Sequence, residues 1–202
     1  MQREILESLE NILSVVSEDL RFAETKNAAL LTANAAAVIG ILQMDPSAAS
    51  LWLMLYLYTL VIVCTLSGVV SLISFVPRPV NPYGRAAAEP AAGDNLLFYG
   101  HIQRYDPAGY LRAVYASAGR SGDEPAALER MYAEQVVVSS RIAIRKFNYF
   151  RWAIWITMGA LITPPLAYVL YWGINEGNRQ RAMARLRRSQ KTAAPAPAAP
   201  AP

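Results

Sequence analysis

The sequence predicts an all-α membrane protein. It is expected to have an N-terminal amphipathic helix running into a transmembrane hairpin, then a cytosolic helical hairpin and a third transmembrane helix. Two observations support this fold class. Residues 51–76 contain no charged residue, His, Asn, Gln or Pro, and a helix of this length crosses a hydrocarbon core of about 30 Å. Hydrophobic residues make up 54% of the chain and charged residues 17%, which is high and low for a soluble protein.

Residues 1–27 are predicted to form a cytosolic amphipathic helix. Its acidic residues lie mostly away from the apolar stripe, so anionic headgroups would repel its polar face. We therefore expect this helix to pack on the rest of the protein or on a second copy. The apolar residues that recur at spacings of three and four are Ile5, Leu9, Ile12, Val16 and Leu20.

A transmembrane hairpin is predicted over residues 28–76, with arms at 28–44 and 51–76. The first arm is expected to continue directly from the amphipathic helix. It is rich in small residues, which allow close helix contact in lipid, and its buried amide would need a partner on another helix. The residues predicted to pack membrane helices are Asn34, Ala36 and Gly40.

Residues 77–151 are predicted to form a cytosolic helical hairpin that follows a Pro/Ala linker. Asp94 is a candidate N-cap for its first helix, and the second helix is expected from residue 126 to residue 151. The region is too short to bury a substantial core of its own. We expect it to pack on the N-terminal helix or on a neighbouring protomer.

The third apolar segment covers residues 152–174 and carries aromatic residues near both ends, as an interfacial belt would. Pro164 and Pro165 lie in its centre, where they predict a passive kink or, as an alternative, a re-entrant turn. Residues 175–202 are basic and then Ala/Pro-rich, which predicts a disordered tail.

Charge predicts the topology but leaves one conflict. The 45–50 turn lacks Lys and Arg, whereas ten of them lie in residues 77–151, which places the N-terminus and the middle region in the cytosol. A single crossing by the third segment then puts the basic tail outside, against the same rule. We predict three crossings, with the re-entrant turn as the alternative.

No catalytic pattern is present. The sequence has no Gly-rich phosphate loop and no Cys or His spacing typical of metal sites. Its single histidine, His101, has no evident orienting partner for general-base catalysis. The sequence therefore predicts a protein that is not an enzyme, with no cofactor and no metal.

Three short motifs, placed in order against the apolar spans, carry a family resemblance. Glu24, Lys26 and Asn27 directly precede the first predicted membrane segment. An Asn-Leu-Leu-Phe run over 95–98 begins the cytosolic region, and an Arg-Lys-Phe run over 145–147 precedes the last span. Over roughly residues 18–172 the sequence resembles the transmembrane effector family of the Pycsar antiphage system.

The resemblance implies a multi-pass protein of the bacterial inner membrane that impairs the membrane and aborts infection. The implied signal is cyclic UMP or cyclic CMP, made by a partner pyrimidine cyclase encoded nearby. The implied partners are the lipid bilayer and further copies of the chain as a homo-oligomer, with no nucleic acid polymer. Two alternatives stay open: a non-enzymatic membrane anchor or scaffold, and a small holin-like membrane protein.

A cyclic nucleotide offers one negative charge and a flat base, so cationic and aromatic side chains near the membrane are candidate ligands. The competing interpretation is that these are ordinary solvated or snorkelling side chains at an interface. The candidate ligand-binding residues are Lys26, Asn27, Arg104, Arg145, Lys146 and Tyr99.

Overall fold

The computed structural model describes residues 2–45, 50–84, 90–91 and 93–192, and the described part is helical without strands. Three of its helices are long and apolar enough to cross a membrane. This confirms the predicted fold class. The five helices are α1 (Gln2–Leu42), α2 (Leu51–Ile73), α3 (Tyr99–Ile102), α4 (Pro107–Ser117) and α5 (Ala127–Thr192).

Helix α1 joins the predicted amphipathic helix and the first hairpin arm without a break. One buried stripe runs along it from Ile5 to Asn34, with spacings of three, four and seven. The stripe is apolar in the first half of the helix and includes two buried asparagines in the second. Its members are Ile5, Leu9, Ile12, Val16, Ala23, Asn27, Leu30 and Asn34.

Helix α2 begins at Ser50, whose Oγ accepts a hydrogen bond from the backbone N–H of Leu53 at 3.3 Å. One face is buried and rich in small and polar side chains, while the opposite face exposes large apolar ones, as a lipid-facing surface would. The predicted turn at Pro46 and Ser47 lies outside the described residues. The buried face consists of Leu60, Cys64, Ser67, Gly68 and Ser71.

We call the first half of α1, helices α3 and α4, and the beginning of α5 the head. These elements share one apolar core, so the middle region has no separate core of its own. Tyr110 is fully buried in this core, and its hydroxyl donates to the Leu96 carbonyl at 2.9 Å. The core residues contributed by the middle region are Ile102, Tyr105, Tyr110, Leu111, Val114, Tyr115, Ala133, Val136 and Val137.

The helix predicted to start at Asp94 begins instead at Tyr99. The side chain of Asn95 accepts from the backbone N–H of Leu97 at 2.9 Å, and this local turn competes with helix formation. Asp94 accepts from the backbone N–H of Ala91 at 2.9 Å rather than from a helix N-terminus. The N-cap prediction was therefore wrong.

Helix α5 unites the second cytosolic helix, the third apolar segment and the basic stretch in one element that ends at Thr192. Pro164 and Pro165 lie inside it, so the described backbone contains no re-entrant turn. Two compact units divide the chain between Met158 and Gly159. The Ala/Pro-rich tail from residue 193 lies outside the described residues, and its disorder stays a prediction.

Within the first unit, α1 and α5 run parallel at one constant register. Contacting residues differ by 119 to 123 in number from one end of the pair to the other. Helix α2 is antiparallel to α1, because Asn34 contacts Ser67 and Leu31 contacts Gly68. We call this three-helix part the bundle. The contacts that set the α1–α5 register are Glu10–Tyr132, Glu24–Lys146, Asn27–Lys146 and Asn34–Thr157.

Candidate functional site

The head meets the bundle at Asn27, which is fully buried on α1. Its Nδ2 donates to the carbonyl of Ala23 at 3.0 Å and to the carbonyl of Lys146 on α5 at 3.3 Å. Two carbonyl acceptors on one side fix the orientation of the amide. Its Oδ1 is then enclosed without a hydrogen-bond partner in the described part of the chain. Asn27 therefore joins α1 to α5 and leaves one polar atom unsatisfied.

Lys146 lies at the same level and touches all three bundle helices. Its Nζ pairs with the Glu24 carboxylate of α1 and lies 6.0 Å from the ring centroid of Phe75, just after α2. The side chain of Lys146 is 16% exposed and that of Glu24 is 43% exposed, so the pair is only partly shielded from solvent. Lys146 is thus a neutralised cation that positions helices. Glu24 was not among the predicted site residues.

Lys26 points its ammonium into a group of phenylalanine rings. Its Nζ lies 4.2 Å from the ring centroid of Phe22, 5.7 Å from that of Phe150 and 6.0 Å from that of Phe147. Each such contact is worth about 0.5–1 kcal/mol at a solvent-accessible position. No carboxylate lies within ion-pair distance of Lys26 among residues 2–45, 50–84 and 93–192 with described side chains. The contacts described for its ammonium are therefore with aromatic rings.

Tyr99 extends this aromatic group. Its ring stacks on Phe147, with 5.3 Å between centroids and 16° between planes, and it is tilted against Phe98. Burial raises the pKa of Tyr99 above its ordinary value, and the charge of Asp19 adds to the effect, so the hydroxyl stays protonated at neutral pH. Phe147 joins Lys26 and Tyr99 into one surface. We call Phe22, Lys26, Tyr99, Phe147 and Phe150 the aromatic site.

Arg104 and Arg145 are not brought into the aromatic site by any described contact. Arg104 Nη1 donates to Asp94 Oδ1 at 2.9 Å, which fixes the turn before α3. The hydrogen bond from the Ala91 N–H, followed by the charge of Arg104, lowers the pKa of Asp94 below its ordinary value. Arg145 is partly buried one residue before Lys146 and has no carboxylate partner among the described side chains.

Arg141 has a structural position that the sequence did not reveal. Its guanidinium donates to four backbone carbonyls, at distances of 2.9 to 3.4 Å. Desolvation lowers the pKa of Arg141, and the nearby Asp106 carboxylate opposes this shift. Arg141 thereby ties the segment after α2 to the connection between α3 and α4. The four acceptors belong to Asn81, Pro82, Gln103 and Tyr105.

Deeper in the bundle, Asn34, Ser67 and Thr157 form a hydrogen-bonded node that uses one side chain from each helix. Asn34 Nδ2 donates to Ser67 Oγ at 2.9 Å, and Thr157 Oγ1 lies 3.1 Å from Asn34 Oδ1 and 2.8 Å from Ser67 Oγ. Ser67 Oγ also donates to the Ala153 carbonyl at 2.8 Å. All three side chains are at most 9% exposed. We call them the polar node.

Ala36 and Gly40 lie on the exposed face of α1, away from the polar node. A Cβ added at Gly40 would meet nothing within 4 Å, so this face makes no close contact within the described part of the chain. Gly68 on α2 is different, because a Cβ there would lie 3.5 Å from Leu31. The small residues of α1 thus leave a face open to another molecule or to lipid.

The described residues contain no group of three or more His, Cys, Asp and Glu side chains that could hold a metal.

The family model described as the Pycsar effector protein domain matches residues 8–173, which is most of the chain. The chain belongs to the Pycsar effector family. The Pycsar effector protein RsPycTM of a Rhizobium species is 28% identical over 164 residues, covering 77% of this chain and 91% of that relative. No solved structure matches the chain.

The family match confirms the resemblance carried by the motifs at Glu24 to Asn27, at 95–98 and at 145–147. It places this Pycsar effector among the membrane effectors of antiphage defence. Its three apolar helices agree with a membrane protein. The matched region contains the aromatic site, the Asn27 contacts and the polar node.

Proposed function

We propose that this protein is a membrane effector that a cyclic pyrimidine nucleotide, cyclic UMP or cyclic CMP, triggers to impair the bacterial inner membrane and abort infection. One observation carries the proposal. Lys26, a cation without a carboxylate partner among the described residues, lies in an aromatic site and is adjacent in sequence to Asn27. Asn27 bonds α1 to α5 where the head meets the bundle.

The aromatic site has the chemistry that a cyclic nucleotide needs. The ammonium of Lys26 can pair with the single phosphate charge, and a charge-assisted hydrogen bond is roughly twice as strong as a neutral one. A pyrimidine ring is flat and can stack on Phe22 or Phe147, and such stacking is worth about 1–3 kcal/mol per base. Both Phe22 and Lys26 are on α1, so the ligand would bind directly to the helix that enters the bundle.

Binding there would alter the contacts between α1 and α5. A phosphate beside Lys26 would draw its ammonium away from the Phe147 and Phe150 rings of α5, which it now contacts. A ligand shifts a conformational equilibrium only by its difference in affinity between the two states. The contacts of Lys26 with the α5 rings would supply that difference, since they are made in the resting state and lost when the ligand takes the ammonium. The proposed active state therefore has α1 displaced from α5 at this level.

The test uses purified protein in liposomes with a potassium diffusion potential and a potential-sensitive dye. Cyclic UMP or cyclic CMP at micromolar concentration should collapse the potential, and one of the two should be more effective by at least tenfold. Lys26→Gln should abolish the response. Arg21→Gln is the matched control, because Arg21 is an exposed cation on the same helix, and it should respond normally.

Two results would overturn the proposal. A potential unaffected by either nucleotide would contradict the trigger and favour the anchor interpretation. Equal responses from Lys26→Gln and Arg21→Gln would contradict nucleotide binding at the aromatic site.

We further propose that a pyrimidine cyclase is encoded nearby, since the signal must be made in the same cell. We also propose that the active effector is a homo-oligomer.

A further inference from the structure

The interior of the bundle contains buried polar atoms that no described residue satisfies. Asn27 Oδ1, Ser71 Oγ and Ser74 Oγ are enclosed and have no hydrogen-bond partner in the described part of the chain. The exposed fractions of these residues are 0%, 0% and 5%. A buried polar group without a hydrogen bond is energetically unfavourable, so three such atoms in one region point to a ligand.

The three atoms belong to neighbouring levels of the same interior. Lys146 bonds to Asn27 through its carbonyl and approaches Phe75 through its ammonium, which brings Asn27 level with the end of α2. Ser74 directly precedes Phe75, and Ser71 lies about one turn deeper. Ser67, one further turn along α2, already belongs to the polar node. The unsatisfied atoms therefore occupy the interior between the Asn27 level and the node.

The chemistry of these groups matches water. Asn27 Oδ1 is an acceptor whose direction is fixed by the two bonds of Nδ2, whereas each serine hydroxyl can donate and accept. Buried water typically makes about three hydrogen bonds to such groups. Beyond the node, the buried face of α2 continues with Cys64 and Leu60, which offer no comparable polar group. The polar lining thus ends where the node closes it.

We propose that the bundle interior holds a hydrated site formed by Asn27, Ser71 and Ser74, and that the hydrogen bonds of Asn34, Ser67 and Thr157 separate its water from the rest of the bundle. In the node, Nδ2 and Oδ1 of Asn34 and Oγ1 of Thr157 each have a hydrogen-bond partner within the described part of the chain, unlike the three atoms above. Breaking the node would admit this water to the level of Asn34. The leak path of the proposed effector would then run inside one protomer, a step that rests on the proposed function.

The two asparagines provide the test, because they are two turns apart on one helix and differ only in their partners. The full chain, labelled with ¹⁵N-asparagine, is placed in lipid bilayers and examined by water-edited solid-state NMR without nucleotide. Spectra of Asn27→Leu and Asn34→Leu assign the two side-chain amides. The Asn27 amide should receive magnetisation from water rapidly, and the Asn34 amide should receive it at least several-fold more slowly.

The seal is tested with Thr157→Val, which removes the node hydroxyl but keeps the shape of the side chain. Water transfer to Asn34 should rise to the level of Asn27, and proton leak through liposomes should increase without nucleotide. Thr65→Val is the control, because the hydrogen bond of the exposed Thr65 is to a carbonyl of its own helix.

Equally slow water transfer to the Asn27 and Asn34 amides would overturn the hydrated site. Slow water transfer to Asn34 in Thr157→Val would overturn the seal. Neither result depends on the response to nucleotide. These experiments can therefore contradict the hydrated site or the seal without contradicting the proposed function, and the reverse also holds.

Discussion

At the scale of single residues, the important side chains are polar groups in buried positions. Asn27 and Glu129 both place an amide or carboxylate inside the protein, where desolvation is costly and partners decide the outcome. The side-chain amide of Asn27 donates its two hydrogen bonds to carbonyls of two helices. Glu129 Oε2 accepts from the Tyr115 hydroxyl at 2.6 Å and from the Ala126 N–H at 2.7 Å, which caps the start of α5.

Two substitutions at Asn27 should show how much its hydrogen bonds, as distinct from the packing of its side chain, contribute to the free energy of unfolding. Asn27→Leu removes two hydrogen bonds together with the unsatisfied oxygen, and should lower the free energy of unfolding by about 0.5–1.5 kcal/mol. Asn27→Asp keeps the shape but sets a carboxyl group against two carbonyls, and should cost more than about 2 kcal/mol. Thermal unfolding in detergent measures both, with exposed Thr25→Ala as the neutral control. Equal stability of the two Asn27 variants would contradict the described hydrogen bonds.

The Tyr115–Glu129 bond predicts a loss of stability in alkali. Burial, and then the bond to Glu129, raises the pKa of Tyr115 to about 12 in the folded protein, from about 10 when unfolded. A raised pKa means that the folded state favours the neutral hydroxyl. The stabilisation is complete below pH 10 and disappears between pH 10 and pH 12. The free energy of unfolding should fall over this interval in the wild type and fall less in Tyr115→Phe. An identical fall in both proteins would refute the assignment.

At the scale of elements, α1 has two faces with different roles. The buried stripe packs against α2 and α5, whereas the face with Ala36 and Gly40 is exposed. Between membrane helices, small residues allow the close backbone approach that stabilises association. The open face is therefore the expected contact between copies of the chain, while the node holds the helices of one copy together.

Gly40→Leu should reduce assembly without disturbing the fold, because an added side chain meets nothing within 4 Å in its own chain. We expect at least a tenfold weaker association in crosslinking or single-molecule bleaching experiments, with unchanged thermal unfolding of the monomer. Ala36→Leu should act in the same direction. Gly68→Leu is the contrasting variant, since a side chain there would press on Leu31 and lower monomer stability. Normal assembly of Gly40→Leu would exclude this face as the interface.

At the scale of the whole molecule, the parallel course of α1 and α5 bears on topology. Helices that run parallel along one register point toward the same side of the membrane, and α2 returns between them. If α5 crosses completely, as the sequence predicts, the two ends of the chain are expected on opposite sides of the membrane. An alkaline phosphatase fused after Pro202 should be active in the periplasm, and the same enzyme fused before α1 should be inactive. If only the N-terminal fusion were active, the orientation would be opposite to the predicted one. If neither fusion were active, three crossings would be contradicted.

Local patterns predicted much of this architecture. The charge-free run at 51–76 predicted the position of α2, and the spacing of Ile5 to Val16 predicted the buried face of α1. Leu20, predicted on the same stripe, is only half-buried. The start of α3 was missed because an Asn95 side chain competes locally with the helix. The aromatic site and the Arg141 contacts depend on which elements pack together. Their partners are separated by tens of residues, and no local period carries that information.

The continuous buried stripe of α1 imposes a phase relationship between head and bundle. One residue inserted between Val16 and Ala23 would rotate all that follows by about 100° and turn Asn34 away from Ser67. Seven inserted residues would nearly restore the angle, with about 20° of drift, but would also move Asn34 about 10 Å along α5 unless α5 gained the same length. Swapping heads among related effectors should therefore succeed only when α1 and α5 change length together by whole heptads.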